Sequence, residues 1–187
     1  MTAMTSRADS QPLVVRRLLA TDDRSAFQSG NVDLDRFFQR FAGQNQFRHH
    51  VGTTWVALTR GRIVGFVTVS AAQLEVGLLP EKARKRLPAY PLPVLRLARL
   101  AVSNQAQGAG VGRALLRAVF TLAWRMADDL GCVGIVVDAK PEAIGFYKTL
   151  GFQELEHRQG GLGDRPEPVP MFLELAAVPK PADPPAG

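Results

Sequence analysis

The stretch LARLAVSNQAQGAGVGRALL, from Leu97 to Leu116, decides how the rest of the chain is arranged. The apolar run from Leu97 to Val102 predicts a buried strand, and the amphipathic pattern that begins at Arg113 predicts a helix. Between them lie three glycines within five positions, Gly108, Gly110 and Gly112. Glycines let a ligand approach the main chain, and a helix N-terminus offers unpaired amides and a favourable dipole. The stretch therefore predicts a site for a phosphate-bearing ligand, unless its glycines serve only to end the strand and start the helix.

The spacing of the glycines separates several phosphate-binding motifs. A dinucleotide fingerprint needs G-x-G-x-x-G after a first strand, and a P-loop needs Gly-Lys-Ser/Thr, where this chain has Arg113-Ala114. The order here is Q-x-x-G-x-G, from Gln107 to Gly112. This motif resembles the pyrophosphate loop of the GNAT acetyltransferases, which bind acetyl-CoA. The resemblance implies an acetyl-CoA site and no metal.

The resemblance also implies which residues hold acetyl-CoA. In the family, strands four and five diverge, and the pantetheine arm lies in the gap and bonds to the main chain of strand four. Here those contacts fall on Leu100, Ala101 and Val102. The diphosphate is expected along Gln107, Gly108, Ala109, Gly110, Val111, Gly112 and Arg113, where the charge of Arg113 adds attraction.

A second motif, Ala143-x-x-Phe146-Tyr147-x-x-x-Gly151-Phe152, resembles the GNAT helix that places a tyrosine beside the acetyl-CoA sulfur. A phenol near that sulfur can donate a proton as the thiolate leaves, so Tyr147 is the candidate general acid. The alternative is that Tyr147 is a core aromatic residue. One position departs from the family, because Lys140 stands where many members have Asn.

Hydrophobic periodicity predicts an α/β (mixed α+β) protein. Predicted strands span 13–19, 53–59, 62–74, 94–102, 133–137, 152–155 and 169–175, with a tight hairpin turn at Arg60-Gly61. Five helices are predicted: 22–27, 33–47, a short basic helix over 80–87, 113–130, and one from Pro141 to Leu150. Asp22-Asp23 opens the first, Asp33 caps the second, and Gly131 ends the fourth. With the resemblance, this predicts a GNAT fold: a mixed, largely antiparallel sheet of about six or seven strands with splayed strands four and five, flanked by helices.

Length and composition indicate one globular domain. The 187 residues carry a net charge of +6 and a pI near 10.1, which predicts attraction to polyanions. No run of about 18 uncharged apolar residues and no apolar signal core occur, so we expect a cytoplasmic protein without a membrane span. The expected organisation is a disordered lead over 1–12, one domain over 13–177 and a Pro-rich disordered tail over 178–187, with a polar loop from Gln159 to Pro168.

Two residue types that bind metals elsewhere are interpreted here as structural or solvated. The single cysteine, Cys132, lies in an apolar run and is expected to be a buried thiol. His49 and His50 have no complementary ligands at suitable spacing, so we expect loop histidines in water.

The acceptor amine must be uncharged to attack. A lysine with a pKa of ~10.4 is neutral about once in 2,500 molecules at pH 7, whereas an α-amine near ~7.7 is neutral about one time in six. The difference is roughly 3.7 kcal/mol, so a lysine acceptor needs a well-placed base. Strand four offers only Arg96 and Arg99, and Asp138 at the end of strand five is either a base or a structural residue. The scarcity of bases favours an α-amine acceptor.

Further motifs are similar to the toxin branch of the GNAT proteins. They are Phe27-x-Ser29-Gly30-x-x-x-Leu34-Asp35-x-Phe37-Phe38, Gly52-Thr53-Thr54 and Arg99-Leu100-Ala101-Val102. Such toxins acetylate the α-amine of aminoacyl-tRNA and block translation; the resemblance implies this activity, a ribbon-helix-helix antitoxin and a homodimer. In the branch, Cys often stands where this chain has Ser29, and the loop from Gln159 to Pro168 looks longer than usual.

If the acceptor is aminoacyl-tRNA, a basic patch is expected to contact its phosphates. The candidates are Lys82, Arg84, Lys85, Arg86, Arg96 and Arg99. For the first four the alternative is a solvated helix face, and for Arg99 an ion pair beside the strand. The rival functions are acetylation of a small amine or protein N-terminus, and a non-catalytic acyl-CoA-binding or antitoxin-binding module.

Overall fold

A single seven-stranded sheet forms the centre of the computed structural model, which describes residues 12–156 and 167–182. The strands are β1 (Val14–Arg17), β2 (Thr53–Thr59), β3 (Arg62–Leu74), β4 (Leu92–Val102), β5 (Gly134–Ala139), β6 (Gln153–Glu154) and β7 (Val169–Glu174). Across the sheet their order is β1-β2-β3-β4-β5-β7-β6. Neighbours are antiparallel except β4 and β5, which are parallel. The predicted mixed, largely antiparallel sheet is confirmed.

Strands β4 and β5 part soon after they meet. They pair only over Leu95 to Leu97, opposite Ile135 to Val137, although β4 continues to Val102. The β3–β4 ladder is irregular at Ala98, since Thr68 pairs with Arg99 but Val69 pairs with Leu97. An extra residue of this kind bends a strand. The splayed strands that the resemblance implies are therefore present, and the end of β4 is unpaired on the side that faces β5.

The helices are α1 (Val32–Arg36), α2 (Ala42–Gln44), α3 (Glu81–Arg84), α4 (Val111–Asp129) and α5 (Ile144–Thr149). π-helical turns at Phe37–Phe41 and Asn45–His49 join α1 and α2 into one continuous helix, residues 32–49, which we call the first helical segment. Its predicted cap was wrong: the side chain of Asn31, two residues before Asp33, accepts hydrogen bonds from the amides of Asp33 and Leu34.

The first helical segment covers one face of β2, β3 and the end of β4. The ring of Phe38 stacks on Phe66 of β3, with centroids 4.3 Å apart, and Phe27 packs edge-on against both rings. Ala101 of β4 belongs to the same buried cluster. The aromatic core thus fixes this helix over the part of the sheet where β4 leaves β5.

Helix α4 covers the opposite face and carries the predicted apolar stripe into the main core. Its first turn lies unusually close to the sheet, because a Cβ on Gly65 of β3 would come within 2.8 Å of the Val111 side chain. The helix ends where predicted, at Gly131, whose φ is +97°. Close packing at Gly65 fixes the N-terminus of α4 at the end of β4.

One predicted element is absent from the described residues. No helix forms over 22–27, where turns replace it. The Asp22 carboxylate instead accepts two hydrogen bonds of 2.8 Å from the Arg16 guanidinium and one of 2.7 Å from the amide of Leu19. The guanidinium is the main reason that the pKa of Asp22 lies below its usual value. Asp22 therefore closes a turn onto β1 instead of opening a helix, while the Asp23 carboxylate accepts hydrogen bonds from Ser25.

Two smaller predictions are confirmed, and a third is confirmed in part. Arg60 and Gly61 both have positive φ, 49° and 73°, as a tight two-residue hairpin requires. Cys132 is a buried thiol, and burial raises its pKa. His49 and His50 are exposed as expected, but His49 lies in the last turn of the first helical segment and not in a loop, and His50 is the C-cap of that segment.

Some predictions fall outside the part of the chain that the structure describes. These are most of the lead, most of the loop from Gln159 to Pro168, and the end of the Pro-rich tail. Among the helices of the described residues, none has the length and apolar character needed to cross a membrane.

Candidate active site

The glycine loop has the backbone geometry that its sequence predicts. Gly108 and Gly110 both have a φ of +80°, a left-handed conformation that favours glycine. A Cβ added at either position would meet no atom within 4 Å. Glycine is therefore required at these two positions by the backbone conformation and not by close packing. The open space beside both glycines leaves room for a ligand against the main chain.

The amides that could hold an anion follow directly. Gly110 is the N-cap of α4, and the first α-helical bond runs from the amide of Ala114 to the Gly110 carbonyl, at 3.1 Å. The amides of Val111, Gly112 and Arg113 precede that bond and have no intrahelical acceptor. Ala109 differs, because its amide donates to the Ala106 carbonyl at 3.3 Å. The chemistry of this loop suits a diphosphate, with Ala109 contributing least.

The open edge of β4 includes two of the three residues predicted to contact the pantetheine arm. The amide of Ser103 donates to the Val64 carbonyl of β3 at 2.8 Å. Main-chain groups alternate between the two edges of a strand, so Ala101 also faces β3, while Leu100 and Val102 face the gap beside β5. Leu100 and Val102 thus present main-chain groups to the gap, where the Val102 carbonyl also accepts a hydrogen bond from Gln107. The main chain of Ala101, which was also predicted as a contact, is paired with β3.

Gln107 was predicted among the cofactor-binding residues, and its side chain is engaged with other parts of the protein. Its Nε2 donates to the carbonyl of Ser29 at 3.1 Å and to the carbonyl of Val102 at 3.3 Å. A primary amide has two hydrogens to donate, and both are used. The first residue of the Q-x-x-G-x-G motif therefore joins the loop to two other segments of the chain.

Tyr147 lies on α5 against the main core, between two aromatic rings. The centroids of Phe146 and Phe152 are 5.4 Å and 5.3 Å from its own, both edge-on. The side chain is only 5% exposed, and this burial raises the pKa of Tyr147 to about 12. The phenol is therefore fully protonated at neutral pH, as a proton donor must be. Its packing is equally that of a core residue, so both interpretations of Tyr147 keep a structural basis.

A cleft of about 770 Å³ lies between the first helical segment and β4. Four of its residues are cationic, four are apolar and one is acidic: Arg36, Arg96, Arg99 and Lys140; Leu34, Phe37, Phe41 and Ala98; and Asp33. Sequence reasoning proposed only Arg96 and Arg99 as ligand contacts among these. Ala98 lies between them on β4, and the others come from segments that are distant in sequence. The helical spacing of Leu34, Phe37 and Phe41 was visible in the sequence.

The two arginines of β4 differ in their partners. Arg96 forms an ion pair with the Asp138 carboxylate across the point where β4 and β5 part. Half-buried Arg99 lies 3.8 Å above the centroid of the Phe37 ring, and burial lowers its pKa. Among the described residues, no carboxylate forms an ion pair with Arg99. Its charge is held by an aromatic face and is available to an anion in the cleft, whereas the Asp138 carboxylate is engaged by a guanidinium.

The basic helix α3 lies on the same face of the sheet as the cleft. Ala83 and Leu87 pack against the cluster that contains Val94 of β4 and Val136 of β5. Alternate residues of a strand share a face, so Arg96 and Asp138 project from that face too. The four basic residues of this stretch, Lys82, Arg84, Lys85 and Arg86, are exposed beside it. Lys85 is paired with Glu81 at 2.8 Å, an exposed i,i+4 contact.

Within residues 12–156 and 167–182, no three His, Cys, Asp or Glu side chains are grouped as metal ligands.

Comparisons with known proteins agree with this geometry. Residues 50–154 match the family described as Acetyltransferase (GNAT) domain. A tRNA-acetylating toxin of Mycobacterium tuberculosis is 33% identical over 139 residues, which make up 74% of this chain and 82% of that protein.

Two solved structures have the same fold. AtaT complexed with acetyl-methionyl-tRNAfMet has a TM-score of 0.76 at 24% identity, covering 89% of this chain and 97% of that chain. A Tyr-to-Phe variant of AtaT, bound to the C-terminus of the antitoxin AtaR and acetyl-CoA, has a TM-score of 0.69 at 21% identity, covering 89% and 95%. The match of the domain over more than half of the sequence, together with the related mycobacterial toxin, shows that this chain belongs to the GNAT acetyltransferase family.

Proposed function

We propose that the protein is an acetyl-CoA-dependent N-acetyltransferase that acetylates the α-amine of aminoacyl-tRNA and thereby acts as a toxin that blocks translation. The observation that carries the proposal is that two features meet on β4. One is an open main-chain edge that leads to the glycine loop. The other is a cationic cleft that contains Arg96 and Arg99.

The cofactor half of the proposal rests on the loop and on the edge of β4. Gly108 and Gly110 leave open space over the backbone, and the first turn of α4 supplies unpaired amides for a diphosphate. Arg113 adds a positive charge at the same turn. Leu100 and Val102 supply the strand-like contacts proposed for the pantetheine arm. The AtaT variant of the same fold was solved with acetyl-CoA.

In the proposed reaction the neutral amine attacks the carbonyl carbon of the thioester. The new C–N bond forms as the C–S bond breaks, and Tyr147 gives its phenolic proton to the departing thiolate. The attacking nitrogen loses its extra proton to water, and solvent returns a proton to Tyr147. Burial keeps the phenol protonated until that step.

The cleft favours an acceptor that needs little help from a base. Its one acidic residue, Asp33, is exposed and paired with Arg36. Asp138, beside the cleft, is paired with Arg96. An α-amine with a pKa near ~7.7 is already neutral in about one molecule in six at pH 7. The α-amine of an amino acid that is esterified to tRNA fits such a site, because the carboxylates are engaged in ion pairs and the cationic side chains can contact the tRNA phosphates.

Contacts to tRNA phosphates are proposed for Arg96 and Arg99 in the cleft and for Lys82, Arg84, Lys85 and Arg86 on the same face of the sheet. Arginine binds phosphate oxygens through its planar fork. Phosphate contacts orient a nucleic acid without reading its sequence. The mycobacterial relative carries the name tRNA-acetylating toxin, and AtaT was solved with an acetylated aminoacyl-tRNA.

The proposal includes the wider setting of a toxin. An antitoxin partner is supported by the AtaT complex with AtaR; a ribbon-helix-helix fold for it, a homodimer and a cytoplasmic location follow from the family resemblance alone. The proposed domain covers residues 13–177.

The decisive experiment incubates the protein with labelled acetyl-CoA and bulk aminoacyl-tRNA, followed by nuclease digestion. We expect labelled acetyl-aminoacyl-adenosine, and none from deacylated tRNA. Label transferred only to a small amine or to a protein N-terminus would favour the same chemistry on another acceptor. Acetyl-CoA binding without thiol release on any of these amines would favour a binding module and contradict the proposal.

A further inference from the structure

We propose that Gln107 is a positioning residue that holds the first helical segment in register with the cofactor loop, and that its side chain is not a ligand of the diphosphate. The inference deepens the proposed function, because it assigns the alignment of the two substrates to one hydrogen-bonded network. That network consists of Asp35, Ser29 and Gln107.

The donors of Gln107 exclude a direct role toward phosphate. Both hydrogens of its amide are directed at main-chain carbonyls, those of Ser29 and Val102. The remaining polar atom, Oε1, is only an acceptor. An acceptor oxygen gives no hydrogen bond to a phosphate oxygen. With the observed side-chain geometry, the diphosphate can receive bonds from main-chain amides of this loop but not from the Gln107 side chain.

The contact with Ser29 continues into the first helical segment. The amide and the hydroxyl of Ser29 both donate to Oδ1 of Asp35, at 2.8 Å and 2.6 Å. Two residues after Ser29, Asn31 caps the helix that contains Asp35. Through Ser29, the Asp35 carboxylate and the Gln107 side-chain amide therefore connect the glycine loop to the start of this helix.

A second set of contacts lies beside the first. The amide of Asn104 donates to the carbonyl of Gln28 at 3.0 Å. Gly30, with a φ of +87°, lies so close to Asn104 that a Cβ there would come within 2.9 Å of its Oδ1. The two loops, Gln28–Asn31 and Asn104–Gln107, are thus in close contact, and Gln107 provides the side-chain link between them.

The consequence for catalysis follows from what each loop carries. The first helical segment brings Leu34 and Phe37 to the acceptor cleft, and Phe37 supports Arg99. Gln107 also contacts the carbonyl of Val102, at the end of the strand proposed to hold the pantetheine arm. The network therefore fixes the distance between amine and thioester. Misplacement of reacting groups by 1 Å can cost about 10²-fold in rate.

The test replaces Gln107 with methionine, which has a similar shape, no donor and no charge. The matched control is Gln105→Met in the same loop, where the side chain is exposed. For Gln107→Met we expect kcat with aminoacyl-tRNA to fall about 10-fold to 10²-fold, with the Kd of acetyl-CoA and the Tm almost unchanged. Gln105→Met should match the wild type. Weaker acetyl-CoA binding with normal kcat would make Gln107 a cofactor ligand and overturn the proposal.

A double-mutant cycle tests whether Gln107 acts through Asp35. If the two residues belong to one network, Gln107→Met and Asp35→Ala together should lower kcat by less than the product of the single effects. If the fall in kcat of the double variant equals the product of the two single effects, the residues act independently and the network is refuted.

Hydrogen exchange separates this inference from the proposed function. Amides of residues 31–37 should exchange faster in Gln107→Met than in Gln105→Met, whether or not the wild type acetylates aminoacyl-tRNA. Equal exchange in the two variants would refute the positioning role even in an active enzyme. Absence of acetylation by the wild type would contradict only the proposed function.

Discussion

The glycine loop proposed to bind the cofactor and the cleft proposed to bind the acceptor lie at the two ends of the same half-strand, Ala98 to Val102, but they are built differently. The loop is a continuous stretch of chain whose capacity to bind comes from its backbone, with left-handed glycines and the first amides of α4. The cleft collects side chains from three separate parts of the sequence, around Leu34–Phe41, Arg96–Arg99 and Lys140. A site made of backbone depends on local conformation, whereas a site made of side chains depends on packing between distant elements.

This difference predicts a separation of effects. Changes on the cofactor side should alter the handling of acetyl-CoA and leave the salt dependence of tRNA binding intact. Changes in the cleft should alter the salt dependence of tRNA binding and leave the binding of acetyl-CoA intact.

Tyr147→Phe tests the residue proposed to protonate the departing thiolate. Loss of the phenolic proton should lower kcat by on the order of 10²–10⁴, while the Kd of acetyl-CoA from calorimetry stays unchanged. The phenyl ring retains the edge contacts with Phe146 and Phe152, so the Tm should change little. Unchanged turnover in a folded variant would leave Tyr147 with a packing role only.

The pH dependence of kcat/KM separates the amine from the phenol. An acceptor α-amine with a pKa near ~7.7 predicts a rise of about 30-fold between pH 6 and pH 8, because only the neutral amine attacks. Tyr147 must be protonated to act, and its pKa of about 12 predicts no loss of activity up to about pH 10. A stable 3′-aminoacylamide analogue avoids ester hydrolysis in this assay. A decline beginning below about pH 10 would place a different acid at the thiolate.

Gly110→Ala tests the backbone character of the cofactor side. A residue with a Cβ costs about 1–2 kcal/mol in the left-handed conformation, and the Cβ would enter the space above the loop, where no other atom lies within 4 Å. We expect the Kd of acetyl-CoA to rise about tenfold. Gly77→Ala is the control, since a Cβ there also meets no atom within 4 Å but its φ lies outside the left-handed range. Equal Kd values for the two variants would contradict a diphosphate site at Gly110.

Arg99→Gln tests the side-chain character of the cleft. Removing one phosphate contact should lower kcat/KM for aminoacyl-tRNA about fivefold and reduce the slope of log kcat/KM against log salt by about one. Lys82→Gln removes another proposed phosphate contact, but one that is exposed on α3, so kcat/KM should change by about twofold or less. Both variants should bind acetyl-CoA like the wild type. A weaker affinity of Arg99→Gln for acetyl-CoA would remove the division between the two regions.

The sequence was most informative where one short stretch forms a whole structural unit. The strand, glycine turn and helix from Leu97 to Leu116 and the turn at Arg60-Gly61 are as predicted, because their glycines require local backbone conformations. It was misleading where a local signal competes with a distant partner. Asp22 was expected to open a helix, but Arg16 on β1 offers its carboxylate a stronger contact.

The contacts within the candidate site that the sequence did not predict have the same origin. The pairing of β3 with β4 turns the main chain of Ala101 away from the gap, and no pattern in the chain alone gives that register. The carbonyl that engages Gln107 belongs to Ser29, 78 residues earlier. The cation–π contact of Arg99 with Phe37 likewise depends on the packing of two distant elements.

By itself, the sequence determined the glycine turn and the tyrosine-bearing helix, because glycine spacing and apolar periodicity act over a few neighbouring residues, and the resemblance of its motifs to a known family implied the GNAT fold. Tertiary structure alone decided which edge of β4 stays open, which cations share the acceptor cleft and which partner Gln107 binds. Those features depend on strand register and on contacts between segments far apart in the chain, and only the folded core brings those segments together.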